Sequence, residues 1–302
     1  MIVRIIAIYN AYSPDYRVSE NLEKLKKHCE VAGLKFESYS NKSQINIKQY
    51  TSNDGCEDLI VVLGGDGTLL GQIRKLAHLK IPFAGINCGN LGYLAEFATF
   101  DEFIREGLTE TKYEDRELLN VRVSRSKVKF PLEVFSVIPT VNVVIPPVFE
   151  YEEVFSSLAV NDAVLTAGPP FRMIGFSVSV EPEQLISNYK ADGVIVSSSL
   201  GSTAHNLSAG GPIISPNANV FCVTPIAPHT LNSRPTIISS KDVIVVQPHR
   251  VNDGTTLVVD GQEQFKIKMF DRIFVEKAKV NYSLMVNVKR TYWETLKQKM
   301  SE

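Results

Sequence analysis

Apolar and polar residues group into regular blocks over the first third of the chain. Three nearly continuous apolar runs, at residues 2–9, 58–63 and 82–87, predict strands that are buried on both faces. Residues 19–31 and 68–79 carry apolar side chains every three or four positions, which predicts helices. This alternation predicts a parallel sheet covered by helices, with ligands at the carboxyl ends of its strands.

A helix-capping pattern marks the end of this first domain. Thr99 and Glu102 have the spacing of a capping box ahead of the apolar residues Phe103 and Leu108. We therefore expect a short helix that closes an α/β domain spanning residues 1–118.

After Leu118 the pattern changes to short apolar runs separated by Pro, Gly and Asn. The predicted strands are residues 121–123, 128–135, 176–180, 220–224, 243–247 and 256–259. Many short strands and few helical stretches predict a mainly antiparallel second domain, a β-sandwich over residues 119–287. The expected fold class is α/β plus all-β.

Two further segments need separate predictions. Residues 135–157 carry three prolines among apolar residues, which predicts a loop or an excursion. Residues 292–300 return to helical spacing, so the chain from 288 to 302 is expected to pack back on the first domain as a helix.

Composition excludes several function classes. The 302 residues include 32 basic and 33 acidic side chains, so no bulk attraction to nucleic acid or to an anionic membrane is expected. The four cysteines are scattered without metal-ligand spacing, and no apolar run reaches the ~18 residues that span a bilayer. We expect a cytoplasmic protein without nucleic-acid or membrane partners.

The segment from Gly64 to Thr68, Gly-Gly-Asp-Gly-Thr, joins a predicted strand to a predicted helix. Glycines allow positive φ and close approach of a ligand, and the amides at a helix N-terminus point at an anion. Asp66 among such donors indicates either a bridging metal ion or a proton acceptor for a hydroxyl nucleophile. The spacing fits neither the Walker loop nor the dinucleotide fingerprint. A tight turn with a capping Asp is the structural alternative.

A second polar constellation lies in the β-rich half. Residues 190–212 combine small hydroxyl and glycine residues after a short apolar strand, as a pocket for a ribose and a planar base requires. Plain turns are the alternative for this run alone. Together with the Asp66 loop, Asn161-Asp162 and Asp260-Gly261-Gln262, it favours a functional site, because four polar turns follow buried strands.

With these motifs the sequence resembles the NAD kinase family, whose members phosphorylate the adenosine ribose 2′-hydroxyl of NAD(H) to give NADP(H). The matching motifs are residues 64–68, 85–94, 161–162, 192–212, 228–235 and 260–262. The resemblance implies a phosphofructokinase-like α/β domain, a C-terminal β-sandwich that binds NAD, and a homodimer or homotetramer. It also implies ATP or polyphosphate as donor, and Mg²⁺ or another divalent ion carried on the donor phosphates without a fixed protein site.

The resemblance assigns Asp66 as the catalytic proton acceptor and Asn161 with Asp162 to the adenosine of NAD. It implies that substrate or nucleotide is bound by Gly65, Gly67, Thr68, Tyr93, Asn161, Asp162, Arg172, Lys190, Asp192, Thr203, Ala204, His205, Asn206, Leu207, Ser208, Ala227 and Gln262. Arg172 and Lys190 also fit solvated charges, and His229 fits a hydrogen-bonded loop histidine.

Two residues depart from the family pattern. His205 stands where the family has Tyr, and Leu200 stands where a small polar residue is common. These changes concern base stacking and a ribose contact, so they point to altered selectivity between NAD and NADH or to altered affinity. The alternative functions are a lipid or sugar kinase that shares Gly-Gly-Asp-Gly, and a non-catalytic nicotinamide-nucleotide sensor.

Overall fold

The computed structural model describes residues 2–11, 13, 15–43, 45, 47, 57–89, 92–127, 150–182 and 184–301. They form two compact units. Unit 1 comprises Met1–Glu117 and Val280–Glu302, and unit 2 comprises Leu118–Lys279. The predicted strand 128–135 and the three prolines of the predicted loop lie outside the described residues.

Unit 1 is an α/β structure built on one six-stranded sheet. Its strands are β1 (Ile2–Tyr9), β2 (Lys35–Ser40), β3 (Glu57–Gly64), β4 (Phe83–Asn87), β5 (Tyr113–Arg116) and β18 (Tyr282–Met285). Its α-helices are α1 (Arg17–Ala32), α2 (Asp66–Leu76), α3 (Phe100–Glu102) and α5 (Tyr292–Met300). A 3₁₀ turn, Ala77–Leu79, follows α2, and a π-helical turn, Phe103–Leu108, follows α3.

The sheet of unit 1 has the strand order β2-β1-β3-β4-β18-β5. The first four strands pair in parallel and β18 is parallel to β4, whereas β5 is antiparallel to β18. Continuous apolar runs form the central strands because both faces are covered, and the side chains from Leu59 to Leu63 are buried. The predicted parallel sheet is confirmed.

Unit 2 consists of two antiparallel sheets. Its strands are β6 (Leu119–Ser126), β7 (Tyr151–Ala159), β8 (Asp162–Thr166), β9 (Ile174–Val180), β10 (Gln184–Ala191), β11 (Gly193–Ser198), β12 (Val220–Ile226), β13 (Thr236–Ser239), β14 (Ile244–Arg250), β15 (Thr256–Val259), β16 (Glu263–Lys266) and β17 (Arg272–Lys277). One short α-helix, α4 (His205–Ser208), follows a 3₁₀ turn at Leu200–Thr203.

The strand orders of unit 2 are β10-β9-β14-β17-β6-β7 and β13-β12-β11-β8-β15-β16. Buried side chains of both sheets, such as Val246 and Ile273 of the first and Leu165 and Val194 of the second, belong to one hydrophobic core. The predicted antiparallel, all-β character of this half is confirmed.

The loop predicted for residues 135–157 is wrong where its end is described. Residues 151–159 form β7, which pairs with β6 from Leu119↔Ala159 to Ser126↔Tyr151. The prolines that suggested a loop all precede this strand. Because β7 is an edge strand with mixed exposure, its sequence lacks the continuous apolar run of a buried strand.

Candidate active site

The Gly-Gly-Asp-Gly-Thr segment forms the turn from β3 into α2. Gly65 is the N-cap, with φ −88° and ψ −178°, and Asp66 is the first helical residue. The expected positive φ is wrong for these glycines, because the described glycines with positive φ are Gly33, Gly168, Gly210 and Gly261. Glycine is needed at position 64 because the Thr68 side chain packs directly against it: a Cβ there would lie 2.8 Å from Thr68 Oγ1.

The Asp66 carboxylate receives three backbone N–H groups from one loop. Tyr93 N–H donates to Oδ2 at 2.7 Å, whereas Leu94 and Ala95 N–H donate to Oδ1 at 3.2 and 2.9 Å. Asp66 therefore does not cap its own helix, so the reading of this segment as a turn with a capping Asp is wrong. A carboxylate oxygen has two lone pairs, so among the described contacts Oδ2 keeps one for a further donor.

The loop that binds Asp66 is fixed to β4 at its far end. Asn87 N–H donates to Phe97 O at 2.8 Å, and Phe97 N–H donates to Gly85 O at 3.2 Å. Gly85 lies against Ala95, because a Cβ at position 85 would be 2.9 Å from the Ala95 Cα atom. Asp66 and β4 thus define the course of residues 92–97.

The side chains of Tyr93 and Glu96 extend from this loop toward the C-terminal segment. The Tyr93 ring centroid lies 6.5 Å from that of Tyr292, and Lys299 Nζ lies 3.9 Å from the Tyr93 centroid. Arg290 donates a hydrogen bond to the Glu96 carbonyl oxygen. Burial raises the pKa of the Glu96 carboxyl to about 7, against the opposing effect of the Arg290 charge.

In unit 2, Asp260 binds the turn that carries Asn161 and Asp162. Its carboxylate accepts N–H groups of Val160 at 2.9 Å, Asn161 at 2.8 Å and Asp162 at 3.1 Å. Asp260 itself has φ +49°, a left-handed conformation that Asp tolerates better than most residues. Asp260, which lies 99 and 98 positions from Asn161 and Asp162 in the sequence, therefore forms one structure with them.

The serine-rich run supports the same turn from the other side. Ser198 Oγ donates to Val160 O at 2.7 Å and accepts from Gly201 N–H at 3.0 Å, while Ser198 N–H donates to Asn161 O at 2.8 Å. Any Cβ at Gly201 would collide with the Asn161 carbonyl group. Ser198 and Gly201 therefore fix the backbone of Asn161, whose side chain is half-buried.

Asp162 is a buried acid with an unusual proton affinity. It is 4% exposed, and burial, followed by the negative charge of Asp260, raises its pKa to about 7. At a pH near its pKa, a substantial fraction of this carboxyl carries a proton, and the protonated form can donate a hydrogen bond as well as accept one.

Asn206 is the predicted contact whose side chain serves the fold. It is fully buried, and its Oδ1 accepts from Thr224 Oγ1 at 2.6 Å. Its Nδ2 donates to the carbonyls of Ser202 at 3.1 Å and Pro212 at 3.2 Å. These bonds use both amide protons of Asn206. The prediction that its side chain contacts the nucleotide is therefore corrected: the side chain binds other parts of unit 2. Thr224, its partner, carried no recognisable signal in the sequence.

The other predicted site residues differ in exposure. Gly67, Arg172, Lys190, His205, Ser208, Ala227 and Gln262 are exposed, Gly65, Thr68, Tyr93, Asp192, Ala204 and Leu207 are partly exposed, and Thr203 is buried. His229 is exposed, and its N–H donates to Lys190 O at 2.9 Å. Ala227 has φ +44°, a strained conformation for a residue with a side chain.

Over the described ranges, no group of three or more His, Cys, Asp or Glu residues could hold a metal ion. No described helix is long and apolar enough to cross a membrane.

Comparison with known proteins matches both parts of the chain to domains of one enzyme family. Residues 8–111 match the family model of the ATP-NAD kinase N-terminal domain, and residues 160–287 match that of the C-terminal domain. An NAD kinase of Carboxydothermus hydrogenoformans is 38% identical over 81% of this chain and 80% of its own length. One of Clostridium perfringens is 32% identical over 94% of this chain and 96% of its own length.

Two solved structures share the fold. An NAD kinase from Archaeoglobus fulgidus, solved with ATP, has a TM-score of 0.69 and 21% identity, covering 99% of this chain and 98% of its own. Yeast NADH kinase, solved with NADH, has a TM-score of 0.77 and 20% identity, covering 99% of this chain and 88% of its own. Because both domain models match in order and the curated relatives align over four fifths of the chain or more, this chain belongs to the NAD kinase family of phosphotransferases.

Proposed function

We propose that this chain transfers the γ-phosphoryl group of ATP to the adenosine ribose 2′-hydroxyl of NAD(H), with Asp66 as the proton acceptor. The observation that supports this role is the carboxylate held by three backbone amides, with a lone pair of Oδ2 left for the substrate. Fixed carboxylate orientation is what a general base requires, because proton transfer depends on hydrogen-bond geometry.

The proposed chemical step is an in-line displacement at phosphorus. The ribose O2′ forms a bond to the γ-phosphorus atom as the bond to the β–γ bridging oxygen breaks, and ADP leaves with that electron pair. The hydroxyl proton passes to Asp66 Oδ2. A ribose hydroxyl is a poor nucleophile at neutral pH, so orientation and proton removal by Asp66 contribute to the rate.

Donor phosphates would be bound at the N-terminus of α2, where backbone amides and the helix dipole favour anions. We propose that Mg²⁺ is carried by the donor phosphates, as the resemblance to the NAD kinase family implies. Mg²⁺ bound to these phosphates would neutralise part of the charge that develops during transfer.

In unit 2, Asn161 and Asp162 are proposed to contact the adenosine. The amide of Asn161 offers a donor and an acceptor, and a protonated Asp162 adds a neutral donor, which suits hydroxyl and base atoms. Asp192, Thr203 and the exposed residues around His205 are proposed to complete the nucleotide contacts. ATP is favoured over polyphosphate as donor because the matched family models are those of ATP-NAD kinase.

A phosphofructokinase-like first domain and a homodimer or homotetramer are proposed on the resemblance, and a cytoplasmic location is proposed on the composition and the scattered cysteines. Both NAD and NADH are tested as acceptors, since the similar proteins include NAD kinases and an NADH kinase.

The test measures NADP(H) formation from Mg-ATP or Mg-polyphosphate with NAD or NADH. Wild-type protein is expected to give NADP with Mg-ATP, and Asp66→Asn is expected to lose about 10² to 10⁴ in kcat while Kd for NAD stays within about threefold. Asp101→Asn is the matched control, because Asp101 is an exposed carboxylate of the same unit.

Each alternative predicts a different result in this assay. NAD binding without turnover would indicate the sensor, and phosphorylation of a lipid or sugar instead of NAD would indicate the related kinases. An Asp66→Asn variant that keeps more than about a tenth of the wild-type kcat would show that the base lies elsewhere.

A further inference from the structure

The loop that binds Asp66 has a second set of contacts, which the proposed chemistry does not use. Its backbone N–H groups at Tyr93, Leu94 and Ala95 point to the Asp66 carboxylate. Its Glu96 carbonyl and its Tyr93 ring point to residues 290–299 of the same unit. If its contacts with residues 290–299 were lost, this loop could shift, and the backbone donors that orient Asp66 would shift with it.

Arg290 and Lys299 make the polar contacts from the C-terminal side. Arg290 donates to the carbonyl of Glu96, the residue directly after the last amide that binds Asp66. Lys299 Nζ lies 3.9 Å from the Tyr93 ring centroid, within the distance of a favourable cation–π contact. We call the three amides of residues 93–95 that bind Asp66 the three-amide cradle. Lys299 contacts the first residue of this cradle, and Arg290 contacts the residue that follows its last one.

The C-terminal segment is itself well anchored, so it can act as a fixed support. Asn287 donates a side-chain hydrogen bond to Glu102 and accepts Lys289 N–H at 2.9 Å. Helix α5 begins with a complete capping box between Thr291 and Glu294. A capping box satisfies two otherwise unpaired helix donors, which limits fraying of the first turn.

We infer that Arg290 and Lys299 are positioning residues for Asp66, acting through the backbone of residues 93–96. The inference rests on the proposed role of Asp66 in phosphoryl transfer. Neither residue needs to touch a substrate. Arg290 fixes the end of the cradle and Lys299 fixes its beginning, so that Oδ2 of Asp66 keeps one direction.

The expected effect is on turnover, because small errors in the placement of a catalytic group are costly. A misplacement of about 1 Å can lower a rate on the order of 10²-fold. Removing only the Arg290 contact, while the Lys299 contact remains, should shift the cradle by less than about 1 Å. A decrease in kcat of about tenfold is therefore expected for Arg290→Gln. The KM values for NAD and ATP should stay within about twofold, since no binding group is removed.

The test uses matched variants in the full-length protein. Arg290→Gln is compared with Lys289→Gln, an exposed neighbour, and Lys299→Met is compared with Lys297→Met on the same helix. Arg290→Lys retains a cationic donor and should recover part of the lost kcat. Thermal unfolding of each variant reports general destabilisation separately.

Amide hydrogen exchange at Tyr93, Leu94 and Ala95, measured by NMR, gives a readout that does not depend on activity. Exchange at these amides is expected to become at least several-fold faster in Arg290→Gln and Lys299→Met, and to stay unchanged in both controls. In an Asp66→Ala background the amides lose their acceptor, so Arg290→Gln should add little further exchange.

Unchanged exchange at residues 93–95 in both test variants would overturn the inference, and so would equal kcat losses in test and control variants. Faster exchange without any NADP formation by the wild-type protein would support the link between these residues and Asp66 while rejecting the proposed function. The two hypotheses can thus fail separately.

Discussion

Gly92 and Asp66 are packed so closely that position 92 has no room for a side chain. A Cβ built on Gly92 would overlap the Asp66 carboxylate oxygens, whereas one built on nearby Gly89 would have its nearest neighbour, Asn87 Oδ1, at 3.7 Å. The φ of neither glycine is positive, so glycine is needed at position 92 for space and not for a left-handed backbone. Glycine at 92 is therefore required by the hydrogen bonds that follow it, from Tyr93 to Ala95.

Gly92→Ala should lower kcat on the order of 10²-fold, because the new methyl group must displace either the loop or the Asp66 carboxylate. Steady-state kinetics with NAD and ATP measure the effect, and Gly89→Ala is the control with ordinary contacts. Similar activity of the two alanine variants would show that the loop can move away without consequence for Asp66.

Asn161→Ala should raise KM for NAD about tenfold or more and leave KM for ATP nearly unchanged, because one lost hydrogen bond to a buried polar partner costs ~1–3 kcal/mol. Asp260→Asn should act in the same direction, since an amide has one acceptor oxygen for the three N–H groups that the carboxylate binds. Asp253→Asn, an exposed change in unit 2, is the control. Equal increases in both KM values would contradict the assignment of Asn161 to NAD.

The raised pKa of Asp162 predicts a pH dependence of stability. Its pKa is about 7 in the folded protein against 3.8 for an ordinary Asp, so the folded state holds the proton over this range and the unfolded state does not. The contribution of Asp162 to the free energy of unfolding is greatest below pH ~4. It decreases by about 1.4 kcal/mol per pH unit as the pH rises toward 7.

Chemical unfolding of wild type and Asp162→Asn at several pH values measures this effect. The free energy of unfolding of Asp162→Asn should increase relative to that of wild type as the pH rises from 4 to 7. Above pH 7 the difference between the two proteins should stay constant. Taking the difference removes the contribution of Glu96, whose pKa is also raised to about 7 by burial. Asp253→Asn should show a flat difference, and a flat difference for Asp162→Asn as well would mean that its pKa is ordinary.

His205→Tyr should strengthen nucleotide binding by ~1 kcal/mol, or about fivefold in Kd, because a phenol ring offers a larger stacking surface than imidazole. The side chain is exposed, so the larger ring can be accommodated without repacking a core. Calorimetric titration with NAD and with NADH measures the gain, and His78→Tyr, at an exposed histidine outside the matching motifs, is the control. Unchanged affinity in His205→Tyr would place residue 205 outside the nucleotide contacts.

The central elements of the fold were predictable because burial on both faces leaves a clear pattern. The strand predicted at residues 2–9 is observed with the same bounds, and the helix predicted at 292–300 is observed as α5. Edge strands were not predictable in this way. Residues 35–40 form β2 at the edge of the sheet, where partial exposure permits the polar sequence Lys-Phe-Glu-Ser-Tyr-Ser.

Within the candidate site, the sequence indicated polar motifs but not their partners. The bonds between Asp260 and Asn161 join residues 99 positions apart, and those between Asp66 and Ala95 join residues 29 apart. Such pairs depend on which strands become neighbours in a sheet, which local patterns do not specify. The same reason explains why the role of Asn206 was not predictable. It lies in a motif typical of nucleotide binding, but its side chain bonds to Thr224, which is distant in sequence, and to the carbonyls of Ser202 and Pro212.

The position of β18 determines when the first sheet can be completed during translation. This strand lies between β4 and β5, yet it is made after every strand of unit 2. Until residue 285 leaves the ribosome, the nascent chain presents the edge of β4, whose residues Phe83–Asn87 are all buried in the finished protein. Unpaired apolar edges promote association between chains, so translational arrest before residue 280 should yield an aggregation-prone product that engages chaperones.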